Sequence, residues 1–167
     1  MMSINKTPSA THTMSHNRPL FEQDTDAYKA REKLADPTVC PECNAVFNNG
    51  RWQWMTVPDF SNRELCPACH RIKDNFPAGY ISLEGPFFSD HYDEIRRLIQ
   101  HHAEHERDEH PLKRIIAIEN EGDAMVVTTT DTHLARGIGE ALRHAYQGKL
   151  RVDHASGESL VRVYWSR

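Results

Sequence analysis

Cys40, Cys43, Cys66 and Cys69 stand as two C-x2-C pairs with twenty-two residues between them. A C-x2-C turn aims both thiolates at one ion, and two such turns supply the four soft ligands of a closed tetrahedral Zn2+ site. His70 follows Cys69 directly in "LCPACHRIKDNFPAGY". The second pair therefore also spells the C-x-x-C-H of haem attachment and the C-x-x-C of a redox dithiol. Haem attachment leaves Cys40 and Cys43 without a role and takes place outside the cytoplasm. A redox dithiol calls for a C-x-x-C opening a helix within a β-α-β unit, and a second matched pair argues against it. The spacing favours structural Zn2+ on Cys40, Cys43, Cys66 and Cys69, with His70 exposed or beside the ligands. Four sulfurs leave no open coordination position for water, so catalysis at such a metal is not expected.

Other motifs carry less. "HHAEH", His101 to His105, fits H-x-x-E-H, in which His101 and His105 would ligate zinc with Glu104 as base. A solvated, charged helix end accounts for the same residues. "TTTDTH" at a helix start would offer free N–H groups to a phosphate, or simply a cap, and Asp131 would oppose an anion. The chain holds no G-x-S-x-G, phosphate-binding loop or G-x-G-x-x-G, and "GIGE" lies within a helix. No enzymatic activity and no small-molecule substrate are expected.

The elements that must position these residues fall into three parts. Residues 1–36 are polar, with little periodicity, and read as a disordered tail with a short helix from Asp26 to Leu34. Residues 37–78 combine cysteine pairs, Pro, Gly and aromatics without a long apolar face, a segment too small to be stable without a staple. A zinc-ribbon-like module is expected there, with a hairpin in "AVFNNGRWQWM". Trp52 and Trp54 would lie on one strand face, at least one of them in the module's core.

Residues 79–167 read as an α+β domain. "GYISLEG" alternates as a strand. A helix capped by Ser89 runs to about Arg107, with Tyr92, Ile95, Leu98, Ile99 and His102 on one face. "LKRIIAIE" and "AMVVTTT" flank a turn in "NEGD". A second helix starts at Thr130 or Asp131, buries Leu134, Ile138, Ala141, Leu142 and Ala145, and ends at Gly148. Two strands joined near Ser156-Gly157 complete β-α-β-β-α-β-β, the ferredoxin-like order with one added strand.

The formal charge of -4 does not advertise a nucleic-acid binder. Residues 1–78 hold nine charges of each sign, whereas residues 79–167 hold eleven basic and fifteen acidic, so RNA contact would come from local patches. Arg51, Trp52, Arg63, Arg71 and Lys73 around the cysteines suit phosphate contact and base stacking, with Arg136 and Arg143 on the second helix as further candidates. The start of the chain shows no apolar signal segment and no run long enough to cross a bilayer. A cytoplasmic setting is expected, where four cysteines point to metal before disulfides.

The ordered set "RIKDNFPAGYISLEG", the charged helix from Asp93 to Glu106, "TTDTHLARGIGEAL" and Tyr146-Gln147-Gly148 resembles the nonsense-mediated decay protein three family of large-ribosomal-subunit adaptors, over about 110 residues. The chain also looks like a small bacterial group carrying "VCPEC" and "GRWQW". The resemblance implies a zinc module and α+β domain bound to rRNA on the intersubunit face of the large subunit, with ribosomal proteins nearby, as in a stress or hibernation factor. The family has more cysteine pairs and a further C-terminal domain, so a role in nuclear export does not carry over. A zinc-module transcriptional regulator, or an adaptor between proteins, is the alternative.

Overall fold

The computed structural model describes Tyr28, residues 33–155 and residues 159–167. Nearly all of the polar tail, most of the helix expected from Asp26 to Leu34, and the Ser156-Gly157 turn lie outside the described residues.

The cysteine segment folds around short strands: β1 (Thr38–Val39), β2 (Val46–Asn48), β3 (Arg51–Gln53) and β4 (Asn62–Arg63) form a sheet ordered β3-β2-β1-β4. β1 runs antiparallel to β2 and parallel to β4. The expected hairpin is β2–β3, and its turn residues Asn49 and Gly50 both take left-handed φ values, 52° and 81°, as a tight turn matching strand twist requires. β3 stops at Gln53, so Trp54 has left the strand and does not share a strand face with Trp52.

Helix α1 (Pro67–Asp74) then opens on the second cysteine pair. Cys66 is its N-cap, Pro67 sits where a missing N–H costs nothing, and Asn75 ends it in the left-handed conformation (φ 48°). No helix was expected here, because eight residues with a mixed surface carry no clear apolar stripe. A ribbon places both ligand pairs on hairpin turns; here the second pair is carried by a helix.

The larger domain contains β5 (Gly79–Glu84), α2 (Pro86–Asp90), α3 (Tyr92–Glu109), β6 (Ile115–Glu121), β7 (Ala124–Thr129), α4 (Thr132–Tyr146), β8 (Lys149–His154) and β9 (Val161–Ser166). The order of elements matches expectation apart from α2. Pro86 starts that short helix before Ser89, whose hydroxyl donates to the Gly85 carbonyl at 3.2 Å instead of capping α3. α4 is capped by Asp131, which accepts from the Leu134 N–H at 2.8 Å.

The five-stranded sheet is ordered β6-β7-β5-β9-β8, with β5 and β9 parallel and the other neighbours antiparallel. This departs from a ferredoxin-like sheet with a strand appended at its edge: the final strand lies inside, between β5 and β8. The side chains explain the placement. β9 buries Val161, Val163 and Trp165, while β8 ("KLRVDH") offers only the half-buried Leu150 and Val152 and suits an edge.

α3 and α4 cover one face of the sheet. Ile95, Ile99 and Ala103 meet Leu134, Ile138 and Leu142 over Ile81, Leu83, Val127, Val163 and Trp165. Ala141 is half-buried and Ala145 exposed, so the inner face of α4 is narrower than its periodicity suggested. Gly139 brings the helix close: a Cβ there would stand 2.7 Å from Val163 and 2.9 Å from Leu150. No described helix is long and apolar enough to cross a membrane.

Candidate metal centre

Two different local structures deliver the four sulfurs. In the first, the Cys40 N–H donates to the Ala45 carbonyl and the Asn44 N–H to the Cys40 carbonyl, each at 2.9 Å, with Asn44 left-handed (φ 63°) to close the turn. In the second, the first turn of α1 lets the Cys69 N–H donate to the Cys66 sulfur at 3.3 Å. All four Sγ atoms lie within 4.8 Å of one another. Cys43 and Cys66 are 3.8 Å apart, close to the sulfur separation that Zn–S bonds of about 2.3 Å impose in a tetrahedron. The cysteines are free thiols, and Cys40, Cys66 and Cys69 are buried.

The protonation of this cluster shows what it needs. Cys43 is drawn down to about 4, chiefly by the hydrogen bond from the Cys66 thiol, with the Arg114 charge assisting. Cys66 is pushed up by that same bond and by burial, and Cys69 is pushed up first by burial. Buried sulfurs this close cannot all ionise by themselves; a cation among them would let them do so. Cys40, Cys43, Cys66 and Cys69 are thus positioned to hold a metal ion, and they are the only group of three or more metal-ligating side chains among the described residues.

Arg114, which the sequence did not single out, completes the site. It precedes β6 in the large domain, is 9% exposed, and donates from one guanidinium nitrogen to Cys66 Sγ at 3.2 Å and Cys69 Sγ at 3.1 Å. Burial works against its charge, but the bond to Cys69 and the nearby sulfurs outweigh that and hold its pKa above the ordinary value. The backbone behind it is fixed by Thr130. That hydroxyl accepts from the Arg114 N–H at 2.9 Å and donates to the Leu112 carbonyl at 2.6 Å, while the Thr130 N–H donates to the Arg114 carbonyl at 2.9 Å. Leu112 also packs on the cysteines from the large domain, alongside Trp52 and Leu65 from the module.

A cleft of about 700 Å3 opens beside the centre, lined among others by Lys33, Arg51, Trp52, His70, His110 and Lys113, with Glu64 and Asp131 as its acids. Of the residues expected to contact RNA, Arg51 and Trp52 line this cleft. Arg63 on β4 and Lys73 on α1 are exposed. Arg71 is buried, donating to the Phe76 carbonyl at 3.0 Å with its guanidinium 4.7 Å from the Tyr28 ring, so it braces the module from inside. Arg136 is half-buried and bonded to His154, and Arg143 is exposed and paired with Glu140 at 2.8 Å. Trp54 donates from its indole to the Arg107 carbonyl at 2.7 Å, tying the module to the end of α3.

The other motifs resolve simply. His101, Glu104 and His105 are exposed on α3 and belong to no cluster of ligands among the described residues. His102 faces inward, and burial lowers its pKa. The Asp131 carboxylate occupies the N-terminus of α4 where a phosphate would otherwise sit. Cys66 and Cys69 do open a helix, as a redox dithiol would, but both sulfurs turn into the shared cluster with the first pair.

No protein-family model, curated protein or solved structure matches this chain, and the four-sulfur centre bridged by Arg114 rests on its own geometry.

Proposed function

We propose that the protein is a non-catalytic, zinc-stapled RNA-docking factor that acts on the large ribosomal subunit, in the manner of a stress or hibernation factor. The carrying observation is the cleft beside the cysteine centre, where the basic side chains of Lys33 and Arg51 stand with the half-buried ring of Trp52. Such a combination suits phosphate and an unstacked base. Zn2+ suits four thiolates at these separations, and it would supply the charge that lets all four ionise. A tetrathiolate site carries two net negative charges; Arg114 offsets one of them, which favours the ion being retained as a staple. Arg51, Arg63 and Lys73 then act as phosphate contacts, with Trp52 stacking at the cleft wall.

The test is sedimentation of tagged protein through sucrose gradients of a cell extract at two salt concentrations. Co-migration with the large subunit at low salt, reduced at high salt and lost in Arg51→Ala/Trp52→Ala, is expected. Absence from the large-subunit and whole-ribosome fractions at low salt rejects the reading. A second reading, an adaptor between proteins, is favoured by one observation: the segment after β3 exposes Met55, Val57 and Phe60, the last at 94%. Retention of ribosome binding in Phe60→Ser argues against it.

A further inference from the structure

β5 and β9 turn Ile81, Leu83, Val161, Val163 and Trp165 toward α3 and α4, so their alternate residues stand on the opposite face of the sheet. Register places these in rows. Thr128, Tyr80, Arg162 and Asp153 lie side by side across β7, β5, β9 and β8, and Val126, Ser82, Tyr164 and Arg151 form the next row. The Arg162 guanidinium lies 4.7 Å from the Tyr80 ring centroid and that of Arg151 4.3 Å from Tyr164. Both tyrosines are half-exposed, and both arginines are exposed. Tyr80 and Tyr164 are diagonal neighbours on the central strands, about 7–8 Å apart by sheet geometry. Beside them stand two short side chains, the half-buried Ser82 and the buried Thr128.

We propose that this open face is a platform for single-stranded RNA, with two successive bases stacking on Tyr80 and Tyr164 and the phosphates passing Arg162, Arg151 and Lys149. Aromatic rings on adjacent central strands, with the helices all behind, form a surface that reads splayed bases, and arginine planes extend the stack. A duplex keeps its bases inside and cannot meet these rings. The charges set the path. Lys149, Arg151 and Arg162 lie on β8 and β9, with Asp153 beside Arg151 at 3.5 Å, while Glu119 and Glu121 occupy the opposite edge on β6 and Glu84 lies at the end of β5. Phosphate is thereby directed along β5, β9 and β8 and away from β6. Arg–Tyr pairs also brace a sheet without any ligand, and the experiment must separate the two roles. The inference shares with the ribosomal reading only the class of partner and uses a different surface.

Binding of a labelled single-stranded oligoribonucleotide of about eight nucleotides to the intact zinc-loaded protein is measured by fluorescence anisotropy at low salt. Tyr80→Leu and Tyr164→Leu, which keep apolar cover of the sheet, each weaken binding by roughly tenfold, while Tyr164→Phe retains the wild-type affinity within about twofold. A duplex of the same sequence fails to compete. Amide shifts on β5, β8 and β9 on titration of the wild-type protein give the same answer without a variant. No binding by the wild type, unchanged affinity in both leucine variants, or shifts confined to the cysteine module would overturn the proposal. Arg51→Ala/Trp52→Ala distinguishes the readings: loss of ribosome sedimentation with oligonucleotide binding intact leaves this platform standing, and the converse leaves only the cleft.

Discussion

No strand of the cysteine module exceeds three residues, and besides three cysteines its buried hydrophobic side chains are Val39, Ala45, Val46, Ala68 and Ala78. The larger domain, by contrast, buries fifteen hydrophobic side chains between two helices and a five-stranded sheet. The first region has little apolar surface with which to offset the entropy of ordering its chain, a deficit that an ion held by its four sulfurs would make up; the second has a core of ordinary size. Arg114 belongs to the second region and bonds to the sulfurs of the first, and Leu112 and the Trp54–Arg107 bond add contacts beside it. The contrast teaches that one chain can be held by two different forces and still present them as a unit.

Removing the ion strikes that difference hardest. Structural Zn2+ in small fingers is worth about 10–16 kcal/mol, so chelation is expected to unfold residues 37–78 while most of the helical signal persists. Trp52 and Trp54 lie in the module and Trp165 in the domain core, which gives each region its own fluorescence reporter. A single transition in which Trp165 becomes exposed together with the other two would erase the distinction. The reverse perturbation is Ile138→Ala in the core, expected to cost about 2–5 kcal/mol. It should lower the melting temperature seen by circular dichroism without changing one bound zinc per folded chain.

Cutting the link is the next largest step. Arg114→Met should weaken zinc binding by about ten- to a hundredfold in competition with a chromophoric chelator. It should also separate the thermal transitions of the two regions. Arg114→Lys should fail to restore either effect, because an ammonium lacks the planar spread that reaches two sulfurs; full rescue by lysine would reduce Arg114 to a point charge. The smallest effect is in pH. His102 is pushed below its ordinary pKa by burial against its own fold, so below about pH 6.5 the unfolded chain takes up a proton that the native state refuses. Stability therefore falls as pH drops through the unfolded value and levels off below the folded one. His102→Gln should flatten that decline in a denaturant series, and an unchanged slope would assign it to other groups.

Much of this was legible because it is local. C-x2-C spacing names the ligands, Asn49-Gly50 names the hairpin turn, and the recurrence of Ile95 and Ile99, or of Leu134, Ile138 and Leu142, names the buried helix faces. What escaped depends on partners far along the chain. Arg114 sits 45 residues from Cys69, and nothing near it in "LKRIIAIE" signals a sulfur partner. Arg71 looked like a surface cation beside a knuckle until the rings of Tyr28 and Phe76 closed over it. The internal position of β9 is a tertiary outcome, foreshadowed only by how much more apolar its inward residues are than those of β8.

That internal position also orders events in time. β6–β7 and β8–β9 are hairpins joined by nearby residues and can zip within microseconds. β5 must be captured between them, pairing Gly79 with Thr129 on one side and Val161 on the other. Such distant pairings pay a loop-closure cost before any reward arrives, so the insertion of β5 is the step expected to be slowest. Because β5 follows α1 after only a few residues, one short connection ties the middle of the sheet to the helix whose cysteines meet Arg114, and whatever positions β5 also positions those sulfurs.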